Sequence, residues 1–330
     1  MLEPLVKRRC SRARAAAHAA LLIGLFAVAV GVAHAAFTGG ATNPGNRITA
    51  APDWSAPGIA PLAIGKATGG AAGALRPGAQ YRVYARVADT GNPSSGIAAV
   101  TADASSLTAG QTNVPLTAGA FQAGGVSYNY RSGLLTAGLL PDGTRTFSVS
   151  AADNAGNSAS ASGSVAIDGA APAPVDVQTA NAGGGVAGRA EQNDTITFTF
   201  SEAMDSFSLA AGWDGSPASV TLRLRNSGGG AGGDRVEIWN AANTSQLAFG
   251  DARLGRADYV TGGSLNFTNS LMTVSGTSVT VVLGTASGTA GSAAGPGTIT
   301  WDPSALATDV AGNGLPALPV TESGPPDSEF

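Results

Sequence analysis

The sequence predicts an all-β protein, two Greek-key β-sandwich domains in tandem after a cleaved signal peptide, and three observations predict it. Short runs of alternating apolar and polar residues recur along the chain, separated by turn formers and without a convincing helix, which is the pattern of strands with one dry and one wet face. A turn pentapeptide occurs twice after such runs, D-N-A-G-N at residues 153–157 and D-V-A-G-N at residues 309–313, as expected if two modules end alike. The first 35 residues carry a basic head, an apolar run and a small-residue cleavage motif.

That leader comes first in the chain. Lys7, Arg8, Arg9, Arg12 and Arg14 form the head, residues 21–32 the apolar run, and Ala33-His34-Ala35 an A-x-A site, so residues 1–35 read as a signal peptide cut after Ala35. The only cysteine, Cys10, and both histidines, His18 and His34, lie in this segment. Removing its five basic residues and one acidic residue takes the formal charge from −4 to −8. An acidic chain with one further lysine, Lys66, offers no basic stripe for phosphate backbones, which argues against nucleic acid as a partner. No membrane association is expected after cleavage.

Residues 36–58 are rich in turn formers and aperiodic, an extended N-terminal arm. The first domain is placed at residues 59–168. In Q-Y-R-V-Y-A-R-V-A-D, Tyr81, Val83, Ala85 and Val87 alternate with polar neighbours; shorter strands are expected at residues 97–103, 114–116 and 126–131. The domain closes in a hairpin over residues 145–167, where Phe147, Val149 and Ala151 precede the turn and Val165 and Ile167 follow it. Asp153 can accept a nearby backbone N–H, Gly156 can take a positive φ and Asn157 tolerates the left-handed region; Asp309, Gly312 and Asn313 repeat that set. Residues 169–174, G-A-A-P-A-P, form the linker, since two prolines deny ladder donors.

The second domain is placed at residues 175–322, with strands at 175–179, 195–200 (Ile196, Phe198 and Phe200 inward), 219–225, 234–239, 278–283 and 298–301. Residues 226–269 make a long connection with strand-like segments of its own, read as an insertion forming an extra hairpin or an elaborated edge. Pro316 and Pro319 confine the last strand to an edge, and residues 323–330 form a C-terminal tail.

Two resemblances attach to these residues. The leader running into A-A-F-T, N-P-G-N and a Trp-x-x-Pro is similar to exported actinobacterial proteins with a SipW-type leader, which implies export and cell-surface deposition. F-T-F-S-E-A-M-D at residues 198–205, with T-W-D-P-S and D-V-A-G-N, resembles bacterial Ig-like domains of the S-layer type; the first domain resembles bacterial Ig-like domains more loosely, through residues 81–89 and its hairpin. Such domains serve as stalks, spacers and adhesive modules, so the resemblance implies a secreted or cell-surface protein whose partner is a surface polymer or protein.

The chemistry-bearing residues narrow the function. With no His or Cys after residue 35, Ser-His-Asp and Cys-His catalysis and nitrogen–sulfur zinc sites are excluded from the remaining chain. A carboxylate hydrolase would have to use Glu202 and Asp205, both at a strand end where such residues also terminate ladders. Asp89, Asp153 and Asp309 stand in D-x-G-N or D-x-A-G-N turns and are the calcium candidates; each turn supplies one carboxylate, whereas calcium takes six or more oxygens, so they read as Asx turns and no metal or cofactor is assigned. Trp213 and Trp239, next to turns, are the candidate ligand aromatics, against the alternative that they cap a sandwich end. Lys66 is the sole lysine after the leader that could form a Lys-Asn crosslink. The expected function is that of a non-enzymatic spacer or adhesive protein, with a self-assembling extracellular matrix subunit, polymerising through its arm by strand addition, as the alternative.

Overall fold

The structure, a computed structural model, describes residues 53–230 and 232–330. The predicted signal peptide and most of the arm lie outside the described residues. The first sheet contains β1 (Gly58–Lys66), β2 (Ala74–Leu75), β3 (Gln80–Ala88), β4 (Ile97–Asp103), β5 (Val114–Ala123), β6 (Val126–Ser132), β7 (Leu135–Thr136), β8 (Gly143–Asp153) and β9 (Ser158–Ile167). The second contains β10 (Pro174–Ala180), β11 (Thr195–Phe200), β12 (Ala218–Arg225), β13 (Arg235–Asn240), β14 (Gln246–Arg253), β15 (Ser264–Ser275), β16 (Ser278–Val282), β17 (Thr285–Ala286), β18 (Thr300–Asp302) and β19 (Val320–Thr321). One four-residue helix, α1 (Ser206–Leu209), is the only helix among the described residues. The chain therefore forms two separate, mainly antiparallel β domains.

Alternation sets the faces. In β8, Phe147, Val149 and Ala151 are buried, and β9 returns against it in register from Gly143 opposite Ile167 to Ala152 opposite Ser158. The strand order is β1-β3-β6-β5-β4-β8-β9-β2, with β2 joining β9 in parallel. The core gathers Ile64, Tyr81, Val83, Val100, Val149 and Ile167.

In the second domain the order is β10-β11-β16-β15-β12-β13-β14-β18-β19. Ile196, Phe198 and Phe200 point into a core centred on Trp301, whose ring lies 5.1 Å from Phe198 and 5.2 Å from Phe200, with its indole N–H donating 2.6 Å to the Phe249 carbonyl. The expected insertion at residues 226–269 proves to be sheet interior: β13 and β14 stand between β12 and β18, and β15 is central. Buried Val236, Ile238, Phe249, Leu265 and Phe267 explain why, since these strands complete the core and do not decorate an edge. The proline-flanked β19 does occupy the edge. Residues 323–330, expected as a tail, fold back: Phe330 is buried, its ring 6.4 Å from that of Tyr259.

The domains belong to one unit and meet through buried polar contacts. Lys66, at the end of β1, reaches the Asp205 carboxylate at 2.8 Å and the Val310 carbonyl at 2.5 Å. Asp205 also accepts the Ala71 N–H and caps α1 through the Phe207 N–H. Arg76 N–H donates to the Ala311 carbonyl at 2.9 Å. The loop before Ala71 passes so close to Asp205 that a Cβ on Gly70, at φ +79°, would fall 2.2 Å from its Oδ2.

Candidate functional site

The twin turns build twin acidic corners. Asp153 Oδ1 accepts the N–H groups of Ala155 and Asn157, its Oδ2 accepts the Asn157 amide at 2.8 Å, and Gly156 holds φ +94°. Asp309 does the same, with Oδ1 accepting Gly312 and Asn313 N–H groups, Oδ2 accepting the Asn313 amide at 2.8 Å, and Gly312 at φ +96°. The second amide hydrogen of each asparagine reaches out of the turn. Asn157 donates to the carbonyl of Asp53, just ahead of β1, and Asn313 to the carbonyl of Asp168, just ahead of β10. Each turn thus clamps the segment through which the chain enters its own domain.

A third acid completes each corner at the end of the next strand of the sheet. Asp89 follows β3, and one carboxylate oxygen from each of Asp53, Asp89 and Asp153 lies within 4.8 Å of the others. Glu202 follows β11 and groups in the same way with Asp168 and Asp309. In the first corner the charges are held by donors. Asp53 takes the N–H groups of Ser55 and Ser95, and Asp89 sits below the usual carboxylate range because Gly91 N–H and the Ser94 hydroxyl, with further backbone donors, favour its ionised form. For Asp153, burial acts to raise the pKa, but the Asn157 amide and the N–H groups of Asn157, Ala155 and Gly156 outweigh it and hold it low. Glu202 is pushed the other way, first by burial and then by the charges of Asp309 and Asp168. All three calcium candidates named from the sequence therefore sit in the corners, but in two separate groups, and their oxygens already accept from turn and loop donors. Among the described residues no ion pair neutralises either group.

Other candidates fall elsewhere. Glu202 and Asp205 serve different partners, the first its acidic corner and the second the Lys66 pair and the cap of α1. Lys66 faces an aspartate, not an asparagine. Trp213 is buried beside α1 with its indole N–H on the Ser216 carbonyl, and it lines a cleft of about 1020 Å³ together with Leu209, Ala218, Met272, Asp251 and Asp302. Trp239 lies near the end of β13, just ahead of the turn at residues 241–242; Arg223 stacks 3.5 Å from its ring centroid, and the indole N–H donates to Glu237. Asp53, Asp168 and Glu202 are the corner residues that sequence reasoning missed as a group. The signal available was their equal placement, an acid ahead of the first strand and another after the next in the sheet, each paired with a D-x-A-G-N turn.

No protein-family model matches the chain, and no curated protein matches it. Among solved structures, a crystal structure of dimeric latent PorU from Porphyromonas gingivalis is similar over 70% of this chain, at 11% identity and a TM-score of 0.23. The chain spans about a fifth of the length of that protein, with 20% of it covered. That likeness carries neither activity nor partner to this chain.

Proposed function

We propose that the chain is a non-enzymatic exported protein whose two Ig-like modules act as a spacer and adhesive unit at the cell surface. The observation that supports this reading best is the joint between the domains. A flexible tether between independent domains needs no buried polar contact, whereas here Lys66 and Asp205, each 5% exposed, pair across it. The twin corners add to it by fixing the segment leading into each domain to that domain's own turn. Of the two carboxylates that a hydrolase would need, Asp205 is committed to the Lys66 pair and the cap of α1, and the cleft beside Trp213 is a recess shaped to take a segment of a surface polymer or protein.

The test is the state of the purified chain and its place in the host. Monomers by negative-stain imaging, with the protein recovered from the wall or medium of the native host, support the spacer and adhesive reading. Fibres that scatter light and lengthen with time would replace it with the matrix-subunit reading, most of whose polymerising arm lies outside the described residues.

A further inference from the structure

The segment that follows β19 carries a third acidic group, of a different kind from the corners. Glu322 and Glu329 are buried, Asp327 is exposed, and one carboxylate oxygen from each lies within 4.8 Å of the other two. Glu329 is 1% exposed, and its Oε1 has no hydrogen-bond partner. No ion pair among the described residues reaches any of the three. Buried carboxylates without a basic partner or a full set of donors are costly, so this arrangement calls for a positive charge that the chain does not supply.

We propose that Glu322, Asp327 and Glu329 hold a divalent cation, and that calcium is the ion that fits. An ion bound at about 2.4 Å places ligand oxygens on opposite sides of it about 4.8 Å apart, and one oxygen from each of the three carboxylates lies within that distance of the other two. All the donors are hard oxygens, which suits calcium or magnesium and disfavours thiophilic metals; a mixed set of buried and exposed carboxylates on a loop fits calcium's looser geometry better than magnesium's strict octahedron.

The ligands are held in place by a second layer of contacts. Ile299 N–H donates to Glu322 Oε1 at 3.0 Å, and the Thr179 hydroxyl donates to Glu329 Oε2 at 2.6 Å, which leaves Glu329 Oε1 free for the ion. The backbone is pinned at every ligand: Glu322 N–H to the Ile299 carbonyl, Gly297 N–H to the Asp327 carbonyl, and the Tyr259 hydroxyl to the Glu329 carbonyl. Asp327, the exposed member, provides the approach from solvent. The bound ion would fasten residues 322–330 onto β10 and the segment just ahead of β18, where Phe330 closes the core beside Tyr259.

The experiment uses the full chain stripped with EDTA, followed by thermal unfolding and calorimetric titration with calcium chloride at neutral pH. Calcium is expected to raise the transition temperature, and Glu329→Gln, which keeps the shape and an acceptor for Thr179, is expected to weaken the binding by about tenfold or more, since ligand charge sets affinity. The same variant should unfold at a higher temperature than the wild type in EDTA, because the uncompensated carboxylate is gone; this sign reversal also shows that it folds. Terbium should give tyrosine-sensitised emission that calcium displaces and that Tyr259→Phe weakens. Equal calcium affinity in the wild type and Glu329→Gln would overturn the proposal. So would a stripped wild type whose transition temperature calcium does not change.

Discussion

Replacing Lys66 by methionine removes one charge from the joint and keeps most of the stem volume. Asp205, with its side chain 5% exposed, is then left as a buried anion that retains the Ala71 and Phe207 N–H groups but loses its counter-charge, and the Val310 carbonyl loses a donor. Breaking a buried pair from one side costs about 3–5 kcal/mol. The reverse variant, Asp205→Asn, keeps a competent helix cap but strands the ammonium, and should cost a similar amount. In Lys66→Met/Asp205→Asn neither charge remains, so the loss should shrink to about 1 kcal/mol, giving a coupling of several kcal/mol in the double-mutant cycle. Urea unfolding followed by tryptophan fluorescence and far-ultraviolet circular dichroism measures it. The wild type should unfold in one transition by both probes, and each single variant in two, because each domain has its own core and only the joint couples them. Single-variant losses that add to the double-variant loss within about 0.5 kcal/mol would refute the argument, as would coincident single transitions in every variant.

Gly156→Val and Gly312→Val should each cost about 1–3 kcal/mol in chemical unfolding, since a β-branched residue is penalised at positive φ; at Gly156 the space around the added Cβ is open, so the cost there is conformational and not steric. Trp301→Ala should lose about 3–5 kcal/mol in urea unfolding, because it empties the ring cluster and leaves the Phe249 carbonyl without its donor. Acid titration should show stability present above about pH 4 and declining as pH falls further, because the donors around Asp89 and Asp153 hold their pKa values below those of the unfolded chain, which therefore binds protons first. Glu202 contributes with the opposite sign: its raised pKa means stability lost as pH rises through the folded value, so Glu202→Gln should be more stable than the wild type at neutral pH by differential scanning calorimetry.

How much of this is legible in the sequence depends on how far apart the cooperating residues lie. Period two in Phe147, Val149 and Ala151, or in Ile196, Phe198 and Phe200, is a local signal, and the strands it marks are buried on the face it marks. The D-x-A-G-N turns are local as well, because Asp153 and Asn157 bond within five residues. By contrast, β14 and β15 read as parts of an insertion because a loop length carries no information about which gap in a sheet a strand will fill. The partnership of Lys66 with Asp205 spans 139 residues, and nothing in either neighbourhood marks it. The run S-G-P-P-D-S-E-F has no periodicity and reads as a tail; its anchorage comes from Tyr259, Thr179 and Gly297, residues of distant loops and strands that no local pattern ties to it.

The duplication of the corner clarifies what the repeated turn is for. If D-x-A-G-N were only a tight connection between strands, its asparagine amide would be fully used inside the turn, and the loop ahead of β1 or β10 would be free to vary. Instead Asn157 and Asn313 each divide the amide between their own aspartate and the carbonyl of the acid that precedes the domain. The turn therefore sets the angle at which a preceding segment approaches the sheet, and in the second domain that segment is the exit of the first, since Asp168 directly follows β9. Val310 and Ala311, inside the same turn, receive Lys66 and Arg76 from the first domain. One pentapeptide thus closes its own hairpin, clamps the incoming chain and presents two carbonyls to the neighbouring domain.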